Sequence, residues 1–200
     1  MFDTLLDCFN VELLEMKIVD LSLAGPGNFS HDRSIGTRAL WHLCETLILA
    51  NRLITSTAVR RSLLVVFGAR VGRGCSLKHS IRVKAPWKLE IGANTWLGES
   101  VWISNHASVH IGSNVCLSQG VFITSGSHDI SNDMSLRVSD VTIEDGVWVC
   151  SFAIVQKGVT IGQSAVVTPG SVVHKSIGPG MVAAGNPAKA IRHRFLDGSA

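Results

Sequence analysis

One histidine stands where the sequence changes character, and its side chain could move protons. His128 ends a regular stretch of the chain and precedes residues 129–142, a polar segment in which the regularity stops. An imidazole titrates near neutral pH, so it can accept or release a proton under working conditions. His128 is therefore the first candidate for a catalytic base. The histidines better explained as surface or structural residues are His31, His42, His79 and His193.

Groups that could bind a metal are sparse in this chain. His106 and His110 stand four residues apart, but no third ligand follows at a matching spacing. The five cysteines are scattered and form no C-x-x-C pair. We therefore expect no bound metal and no disulfide framework, and the cysteine usage indicates a reduced cytoplasmic setting.

Composition narrows the class of protein. Of the 200 residues, 46% are hydrophobic and 16% charged, which is too apolar for a disordered chain. The net charge of +3 does not call for a polyanionic partner. The first residues lack the basic start of a secretory signal, and the apolar stretch 39–54 is too short and too charged to span a bilayer. These features predict a soluble chain.

Beyond Gly68 the aliphatic residues recur every six positions, a period of neither an α-helix nor a single strand. One hexad buries almost nothing alone, so the pattern predicts short strands stacked around a shared interior. The six-residue spacing is lengthened by two residues at Leu89–Glu90 and again at Val109–His110. We interpret these irregularities as small bulges at a corner. The fifteen positions are Val71, Leu77, Val83, Ile91, Leu97, Ile103, Ile111, Leu117, Ile123, Ile143, Val149, Val155, Ile161, Val167 and Val173.

The chain divides into unequal parts. Residues 1–38 are predicted to be an arm with little regular structure, and residues 39–67 to form one or two amphipathic helices. The repeats occupy residues 68–178, interrupted by the loop 129–142. The helical segment is expected to cap the open end of the repeats. Its apolar and basic composition leaves open a peripheral contact with the inner membrane.

Five segments make the repeats resemble a known family. They are APWKLEIG (85–92), WLGESVWISN (96–105), NVCLSQGVFITSGSHDI (114–130), VTIEDGVWV (141–149) and MVAAGNPAKAI (181–191). They resemble the hexapeptide-repeat acyltransferases, in particular the colanic-acid-biosynthesis type of acetyltransferase, which is similar to the maltose, galactoside and nodulation acetyltransferases. The resemblance implies a mainly β fold, a left-handed parallel β-helix with an N-terminal helical segment.

The resemblance also implies an activity, the transfer of acetyl from acetyl-CoA to a hydroxyl of a sugar or polysaccharide precursor, without a metal. In that family a histidine at the place of His128 takes the proton from the hydroxyl, and acetyl passes directly to the acceptor. A small residue after the loop supplies a backbone N–H to the thioester oxygen, a role that falls on Ser151.

Residues near His128 are candidates for contacts with the acceptor. Glu99 is predicted to contact the sugar or support the imidazole, and is otherwise a solvated corner residue. Trp102 and Asn105 share its region and are predicted to line the acceptor pocket. Asp129 either orients the base or contacts substrate, or it anchors the loop.

The coenzyme contacts are implied by the resemblance alone. Trp148 matches a tryptophan that lies along the pantetheine arm, unless it only packs between subunits. Pro169 stands where the family usually has Gly-Ala-Gly, and proline has no N–H to donate. His174, Lys175 and Arg192 match positions that bind or flank the coenzyme phosphates, a role for which cations are suited. Residues 179–200 are thus predicted to be a tail that contributes to coenzyme binding.

Similar enzymes are homotrimers with active sites between subunits, so we expect His128 from one chain to face Trp148 of its neighbour. Two other classes of function stay open: a non-catalytic solenoid that binds a partner, and a β-helical metal hydratase. Coenzyme A binding separates the acetyltransferase from both. The identity of the acceptor is not encoded in any motif.

Overall fold

The computed structural model describes residues 18–195. Residues 1–17 of the predicted arm, which include Cys8, and the last five residues of the tail lie outside the described residues. The main body is a parallel β-helix whose short strands form three sheets, here called faces A, B and C. The chain visits the faces in the order A, B, C and then moves to the next coil.

The strands of each face pair in parallel with those of the coils above and below. Face A contains β1 (Arg70–Val71), β4 (Leu89–Ile91), β7 (Val109–Ile111), β12 (Val141–Ile143) and β15 (Thr160–Ile161). Face B contains β2 (Ser76–Leu77), β5 (Trp96–Leu97), β8 (Cys116–Leu117), β13 (Trp148–Val149), β16 (Val166–Val167), β18 (Met181–Gly185) and β19 (Ala188–His193). Face C contains β3 (Arg82–Val83), β6 (Trp102–Ser104), β9 (Phe122–Thr124), β14 (Ile154–Val155) and β17 (Val172–Val173).

The six-residue period builds the core. All fifteen aliphatic positions are buried. On face B, for example, Leu97 is in register with Leu117, which is in register with Val149. Each hexad thus places one aliphatic side chain on top of the equivalent one in the next coil, which buries them jointly as no isolated hexad could. The predicted stacked-coil solenoid is confirmed.

The corners between faces differ in regularity. The A–B and B–C corners have the same length in every coil, whereas the C–A corner changes length from coil to coil. The two slips of the period lie in the C–A corner, in residues 84–88 and 105–108, and not at the positions where we predicted bulges. Leu89–Ile91 and Val109–Ile111 are regular paired strands, so the extra residues are accommodated in the turns before them.

The long excursion also leaves the solenoid at the C–A corner. It spans residues 125–140 and not the predicted 129–142. It ends earlier than predicted because Val141 and Thr142 already pair with β7. Within it, β10 (Gly126–His128) and β11 (Leu136–Val138) form an antiparallel hairpin. The loop is therefore an ordered extension.

Two helices precede the solenoid. The first, α1 (Ile35–Cys44), continues into a π-helical turn at Glu45–Leu49, and the second is α2 (Thr57–Val66). The first helix begins four residues before the predicted boundary at 39, inside the predicted arm. The reason is a side-chain cap, since the hydroxyl of Ser34 accepts a hydrogen bond from Thr37 N at 3.2 Å.

The helical segment caps the open first coil, as predicted. Trp41 Nε1 donates to Val83 O at 2.8 Å, and the carboxylate of Glu45 accepts from Val83 N at 2.7 Å. Arg61 donates to Val71 O at 2.8 Å, and the buried Arg60 donates to Leu77 O. These contacts satisfy backbone groups that an open sheet edge would leave unpaired. Burial is the largest influence on Glu45 and raises its pKa.

Residues 25–28 lie against the hairpin and hold it. Leu136 N donates to Gly25 O, Asn28 N donates to Leu136 O, and the Asn28 side chain bonds both the N–H and the carbonyl of Val138. Gly27 has φ +57°, and a Cβ there would lie 1.9 Å from Leu136 O. Only glycine permits this approach without displacing the backbone.

Beyond the last coil, β18 joins face B beside β16, and β19 returns antiparallel to it. Arg194 then donates to the carbonyls of Gly146 and Ser164 at the A–B corner. The start of the predicted tail is therefore part of the solenoid. None of the helices in residues 18–195 combines the length and apolar character needed to cross a membrane.

Candidate active site

His128 lies at the end of β10, exposed on the excursion at the C–A corner. Its Nδ1 is 2.7 Å from the carbonyl oxygen of Met134 across the loop. A carbonyl can only accept a hydrogen bond, so this contact places the proton on Nδ1 and leaves Nε2 as an acceptor. The ring is thereby oriented as a general base requires, with one nitrogen held and the other able to take a proton.

Asp129 anchors the loop. Its carboxylate accepts hydrogen bonds from the side chain of Asn132, from Ser131 N and from Arg137 Nη2 at 3.1 to 3.2 Å. These bonds, that of Asn132 foremost, lower the pKa of Asp129. The structure favours the loop-anchoring alternative over a contact with substrate. The group that orients His128 is the carbonyl of Met134, which no sequence motif indicated.

Asn105 was predicted to line the acceptor pocket, and the structure places it in the wall of a cavity at the C–A corner. Its side chain is fully buried, with Oδ1 accepting from Ala85 N at 2.9 Å and Nδ2 donating to Ala85 O at 2.6 Å. Both polar groups of the amide are engaged by the corner of the preceding coil. Asn105 therefore joins two coils, and its bonds to Ala85 fix the amide in the wall of that cavity.

Glu99 lies at the B–C corner, and face C separates it from His128 at the C–A corner. Its Oε1 is 3.1 Å from His79 Nε2 of the preceding coil. Within one chain, Glu99 therefore does not support the imidazole of His128. Trp102 lies on the outer side of face C, between the guanidinium of Arg82 and the ring of Phe122. Glu99 and Trp102, both predicted to contact the acceptor, thus lie on different parts of the solenoid, the B–C corner and face C.

Ser151 occupies the B–C corner after β13. Among residues 18–195 its backbone N–H donates to no acceptor, whereas its hydroxyl donates to Gln119 Oε1 at 3.1 Å. A free backbone N–H is the feature that an oxyanion-binding role requires. The turn has a hydrogen bond from Ala153 N to Cys150 O and φ +59° at Phe152, which are features of a type II turn with Ser151 at its second position.

Pro169 occupies the equivalent second position one coil later, followed by Gly170 with φ +68°. Proline is favoured at that position of a type II turn, which explains why the chain accepts it there. Its carbonyl remains a candidate contact, but Pro169 cannot donate. Trp148 is 44% exposed on face B, and its Nε1 donates to Ser118 Oγ at 2.9 Å, which fixes the ring on the outer surface.

The three predicted phosphate ligands lie at the end of the solenoid opposite the helices. His174 and Lys175 are exposed at the C–A corner after β17, and Arg192 is exposed on β19 at the outer end of face B. Two of them are therefore on a different edge from Arg192. One chain does not bring the predicted coenzyme residues together in a single groove.

The two histidines considered for a metal face different partners. His106 Nε2 lies 2.7 Å from Lys84 Nζ, and His110 Nδ1 lies 3.3 Å from Glu90 on face A. In the part of the chain that the structure describes, no three His, Cys, Asp or Glu side chains form a group that could hold a metal ion.

A cavity that no sequence motif indicated lies beside the His128 loop. It has a volume of about 220 Å³ and lies between the N-terminal segment and the C–A corner, where Phe29, Lys84, Lys88 and His106 contribute to its wall. The ring of His106 packs near Gly126, the first residue of β10. The slips of the period at this corner were the only sequence signal, because the lining residues come from segments far apart in the chain.

The stacked six-residue repeats are shared with a family of bacterial transferases. Residues 140–175 match the family described as bacterial transferase hexapeptide (six repeats). The chain is 33% identical over 156 residues to the "Putative colanic acid biosynthesis acetyltransferase WcaF" of Escherichia coli (strain K12), covering 78% of this chain and 86% of that protein. It is 30% identical to the galactoside O-acetyltransferase of the same organism, covering 66% of this chain and 68% of that one.

Solved structures of acetyltransferases resemble this structure. A galactoside acetyltransferase in complex with coenzyme A superposes with a TM-score of 0.75 at 25% identity, covering 84% of this chain and 88% of that one. A hexapeptide-repeat-containing acetyltransferase from Vibrio cholerae, complexed with acetyl coenzyme A, has a TM-score of 0.75 at 21% identity, covering 88% and 98%, and shares the fold. The chain belongs to the hexapeptide-repeat acetyltransferase family, and it is an acetyltransferase.

Proposed function

We propose that the protein transfers the acetyl group of acetyl-CoA to a hydroxyl of a sugar or polysaccharide precursor, with His128 as general base. The observation that carries this proposal is the 2.7 Å contact between His128 Nδ1 and Met134 O, which leaves Nε2 able to accept the hydroxyl proton. The names of the relatives, one from colanic acid biosynthesis and others galactoside O-acetyltransferases, support a saccharide acceptor.

In the proposed mechanism the protein's residues position the reactants and move one proton. Acetyl-CoA supplies the acetyl group as a thioester. As the acceptor oxygen attacks the thioester carbonyl, Nε2 of His128 takes the hydroxyl proton. The C–S bond then breaks, and the imidazolium returns this proton to the departing thiolate, so that the acetyl ester and the free thiol of coenzyme A are the products. The free N–H of Ser151 donates to the carbonyl oxygen as negative charge develops there. Trp148, the Pro169 carbonyl, His174 and the cations Lys175 and Arg192 are the residues we assign to the coenzyme.

The chemistry of this donor set fits coenzyme A. An exposed indole offers a flat apolar surface to the pantetheine arm, and exposed cations suit its phosphates. The unpartnered N–H at Ser151 fits an oxygen that gains charge. We therefore infer that acetyl-CoA is the co-substrate.

These residues lie on separate edges of one chain, so we propose that a homotrimer assembles the site between subunits. The outer sides of faces B and C carry exposed aromatic residues, Trp96 and Trp148 on one and Trp102 on the other. Face A carries the ion pair of Arg70 with Glu90 instead. Large aromatic surfaces are typical of protein interfaces. A neighbour can therefore bring Ser151 of its B–C corner to His128.

Mixing inactive subunits tests the shared site. His128→Ala and Ser151→Pro proteins are each expected to be nearly inactive. After joint dissociation and reassembly, mixed trimers contain interfaces with both native residues, so part of the activity should return. Mixtures that stay inactive, although mass photometry shows mixed trimers, would contradict a site shared between subunits.

The activity itself is tested by following thiol release from acetyl-CoA with a panel of nucleotide-sugars, lipid-linked oligosaccharides and free sugars, with mass spectrometry of the products. Acceptor-dependent thiol release and a product heavier by one acetyl group are expected. A protein that binds no coenzyme A would instead be a non-catalytic solenoid, and release that depends on added metal and resists His128→Ala would indicate a metal enzyme.

A peripheral contact with the inner membrane is the finer localisation that we propose, and it rests on the leucines of the helical segment. Leu40, Leu43 and Leu47 are each more than half exposed. The basic residues Arg60 and Arg61 donate hydrogen bonds to the backbone of the solenoid. The contact would therefore be mainly apolar. Liposome flotation of the full chain and of a Leu43→Ser, Leu47→Ser variant tests it, and equal flotation of both would contradict it.

A further inference from the structure

The cavity beside the His128 loop is lined by an excess of positive charge. Its wall includes the cationic side chains of Arg38, Lys84 and Lys88 and a single carboxylate, that of Asp32. We call this cavity the cationic pocket. Its aromatic wall is formed by Phe29 and Trp87, a combination suited to the ring of a sugar.

Only one of the three cations is neutralised. Lys88 Nζ lies 2.7 Å from the carboxylate of Asp32 and also donates to His106 O. Among residues 18–195, neither Lys84 nor Arg38 forms a salt bridge with a carboxylate. A pair of uncompensated cations beside a cavity is a site that an anionic group would stabilise.

Lys84 is held towards the pocket by His106. Its Nζ lies 2.7 Å from His106 Nε2. Burial, and then the ammonium of Lys84, lower the pKa of His106 and favour the neutral ring. A neutral His106 can accept the hydrogen bond on Nε2, which leaves the remaining N–H groups of Lys84 for a ligand.

Arg38 provides an independent observation. Its Nη1 contacts the ring of His31 at 2.8 Å, whereas its Nε is buried without any hydrogen-bond partner among the described residues. A buried N–H of a guanidinium that lacks an acceptor is costly. Because Nε is inaccessible to solvent, an oxyanion in the pocket would bind the Nη groups of Arg38, which can pair with a carboxylate or a phosphate.

The pocket adjoins the proposed base. A Cβ on Gly126 would lie 3.0 Å from the ring of His106, and Gly126 is two residues before His128 on the same strand. The segment that forms the other wall, through Asn28, also bonds β11 of the hairpin. A sugar in the cationic pocket can therefore extend towards His128.

We propose that the cationic pocket binds an anionic group of the acceptor, a carboxylate or a phosphate, so that the preferred acceptor is an acidic saccharide. Arg38 and Lys84 are the residues that confer this specificity. The inference rests on the proposed function and adds to it the chemical class of the acceptor.

Acceptors that differ only in the anionic group test the proposal on the full-length protein. One pair is p-nitrophenyl glucuronide with p-nitrophenyl glucoside, which probes a carboxylate. A second pair is glucose 6-phosphate with glucose, which probes a phosphate. Turnover is measured by thiol release at saturating acetyl-CoA, and binding is measured separately by saturation-transfer NMR in the presence of coenzyme A.

We expect the anionic member of at least one pair to have a KM lower by about tenfold or more, a preference that weakens as salt is raised. Lys84→Met and Arg38→Met should each abolish most of this preference while leaving the KM for acetyl-CoA unchanged. Lys84→Arg should retain it. Arg73→Met removes a cation from the A–B corner of the same coil and should leave the preference intact.

The outcomes separate the two proposals. Equal KM values within both pairs, or an equal effect of Lys84→Met on charged and neutral acceptors, would overturn the acidic-acceptor proposal while the acetyltransferase proposal stands. If no sugar is acetylated, the proposed function fails, and the NMR experiment still decides the pocket. Binding of glucuronide or sugar phosphate that Lys84→Met abolishes would then support it, and the absence of such binding would overturn it.

Discussion

The B–C and C–A corners form two edges of the solenoid, and these edges contribute different groups to the proposed site. The B–C corner has the same length in every coil, and residues 150–153 and 168–171 form the same type of turn one above the other. The C–A corner varies, and residues 125–140 leave it as an ordered hairpin. The uniform edge presents a backbone N–H at a fixed place, whereas the variable edge presents an imidazole on a loop. Regularity supplies precise backbone placement, and interruption of the repeat supplies side chains for chemistry.

The sharpest test of this contrast removes the imidazole from the variable edge. His128→Ala should lower turnover by on the order of 10²–10⁴, because the acceptor hydroxyl loses its base. Steady-state kinetics and calorimetric titration with coenzyme A should show that coenzyme binding is nearly unchanged.

His110→Ala is the matched control, since His110 lies on face A and pairs with Glu90. It should retain native turnover. Full activity of His128→Ala would remove His128 from the mechanism and with it the functional contrast between the edges.

The uniform edge is tested by removing one N–H from the B–C corner. Ser151→Pro should lower turnover by about 10²–10³, the cost of losing one donor to the developing oxyanion. The substitution is compatible with the turn, because Pro169 occupies the same position one coil later. Stability is measured by thermal unfolding.

Ser151→Ala keeps the N–H and removes only the hydroxyl, so its turnover should stay close to native. Equal losses in the two variants would mean that the hydroxyl, and not the backbone, is what matters at this corner.

A smaller effect is expected where the N-terminal segment holds the hairpin. Gly27→Ala places a Cβ against Leu136 O at a residue with positive φ, which should cost about 1–3 kcal/mol in the docking of this segment. Hydrogen exchange of residues 126–138 should become faster, and turnover should fall with it, since the carbonyl that orients His128 belongs to the hairpin.

Gly25→Ala is the control, because a Cβ at Gly25 meets no atom within 4 Å. Unchanged exchange of the hairpin in Gly27→Ala would show that the segment does not hold the loop.

The smallest predicted effect is on the pH dependence of stability at the C–A corner. Burial and the charge of Lys84 lower the pKa of His106 below the ordinary value of 6.5 for a histidine, so the unfolded chain binds this proton first as pH falls. The native state should therefore lose stability below pH ~6.5, by a fraction of about 1.4 kcal/mol per pH unit because the ring is partly exposed.

Urea unfolding at pH 7.5 and 5.5 measures this loss. His106→Gln should show a smaller decrease in the free energy of unfolding than the native protein. An equal decrease in the two proteins would mean that protonation of His106 does not cause the loss of stability.

Much of the solenoid could be predicted from the sequence because each strand pairs with the equivalent strand of the neighbouring coils. The fifteen aliphatic positions repeat at nearly constant spacing, so one correct coil predicts the others, and all are buried as predicted. The end of the excursion was harder to place. Val141 and Thr142 look like loop residues in the sequence, yet they pair with β7 because the next coil begins there.

The site was predicted less completely. His128 could be selected as a candidate because it ends the repeat. Asn105 and Asp129 were both assigned to the acceptor by their closeness in sequence. The amide of Asn105 bonds Ala85 in the wall of the cationic pocket, whereas the carboxylate of Asp129 bonds its own loop. Such pairings depend on which atoms meet across coils, and a repeat period carries no information about side-chain direction at the corners.

The sequence by itself determined the stacked coils, the place of the interruption and the histidine that precedes it. The reason is that aliphatic residues with a six-residue period are buried together when the hexads stack. Only the tertiary structure decided that Glu99 and Ser151 lie on a different edge from His128, that Met134 orients the imidazole, and that Arg38, Lys84 and Lys88 converge on one cavity. Those arrangements join residues distant in the chain, and packing between the N-terminal segment, the hairpin and the coils sets them.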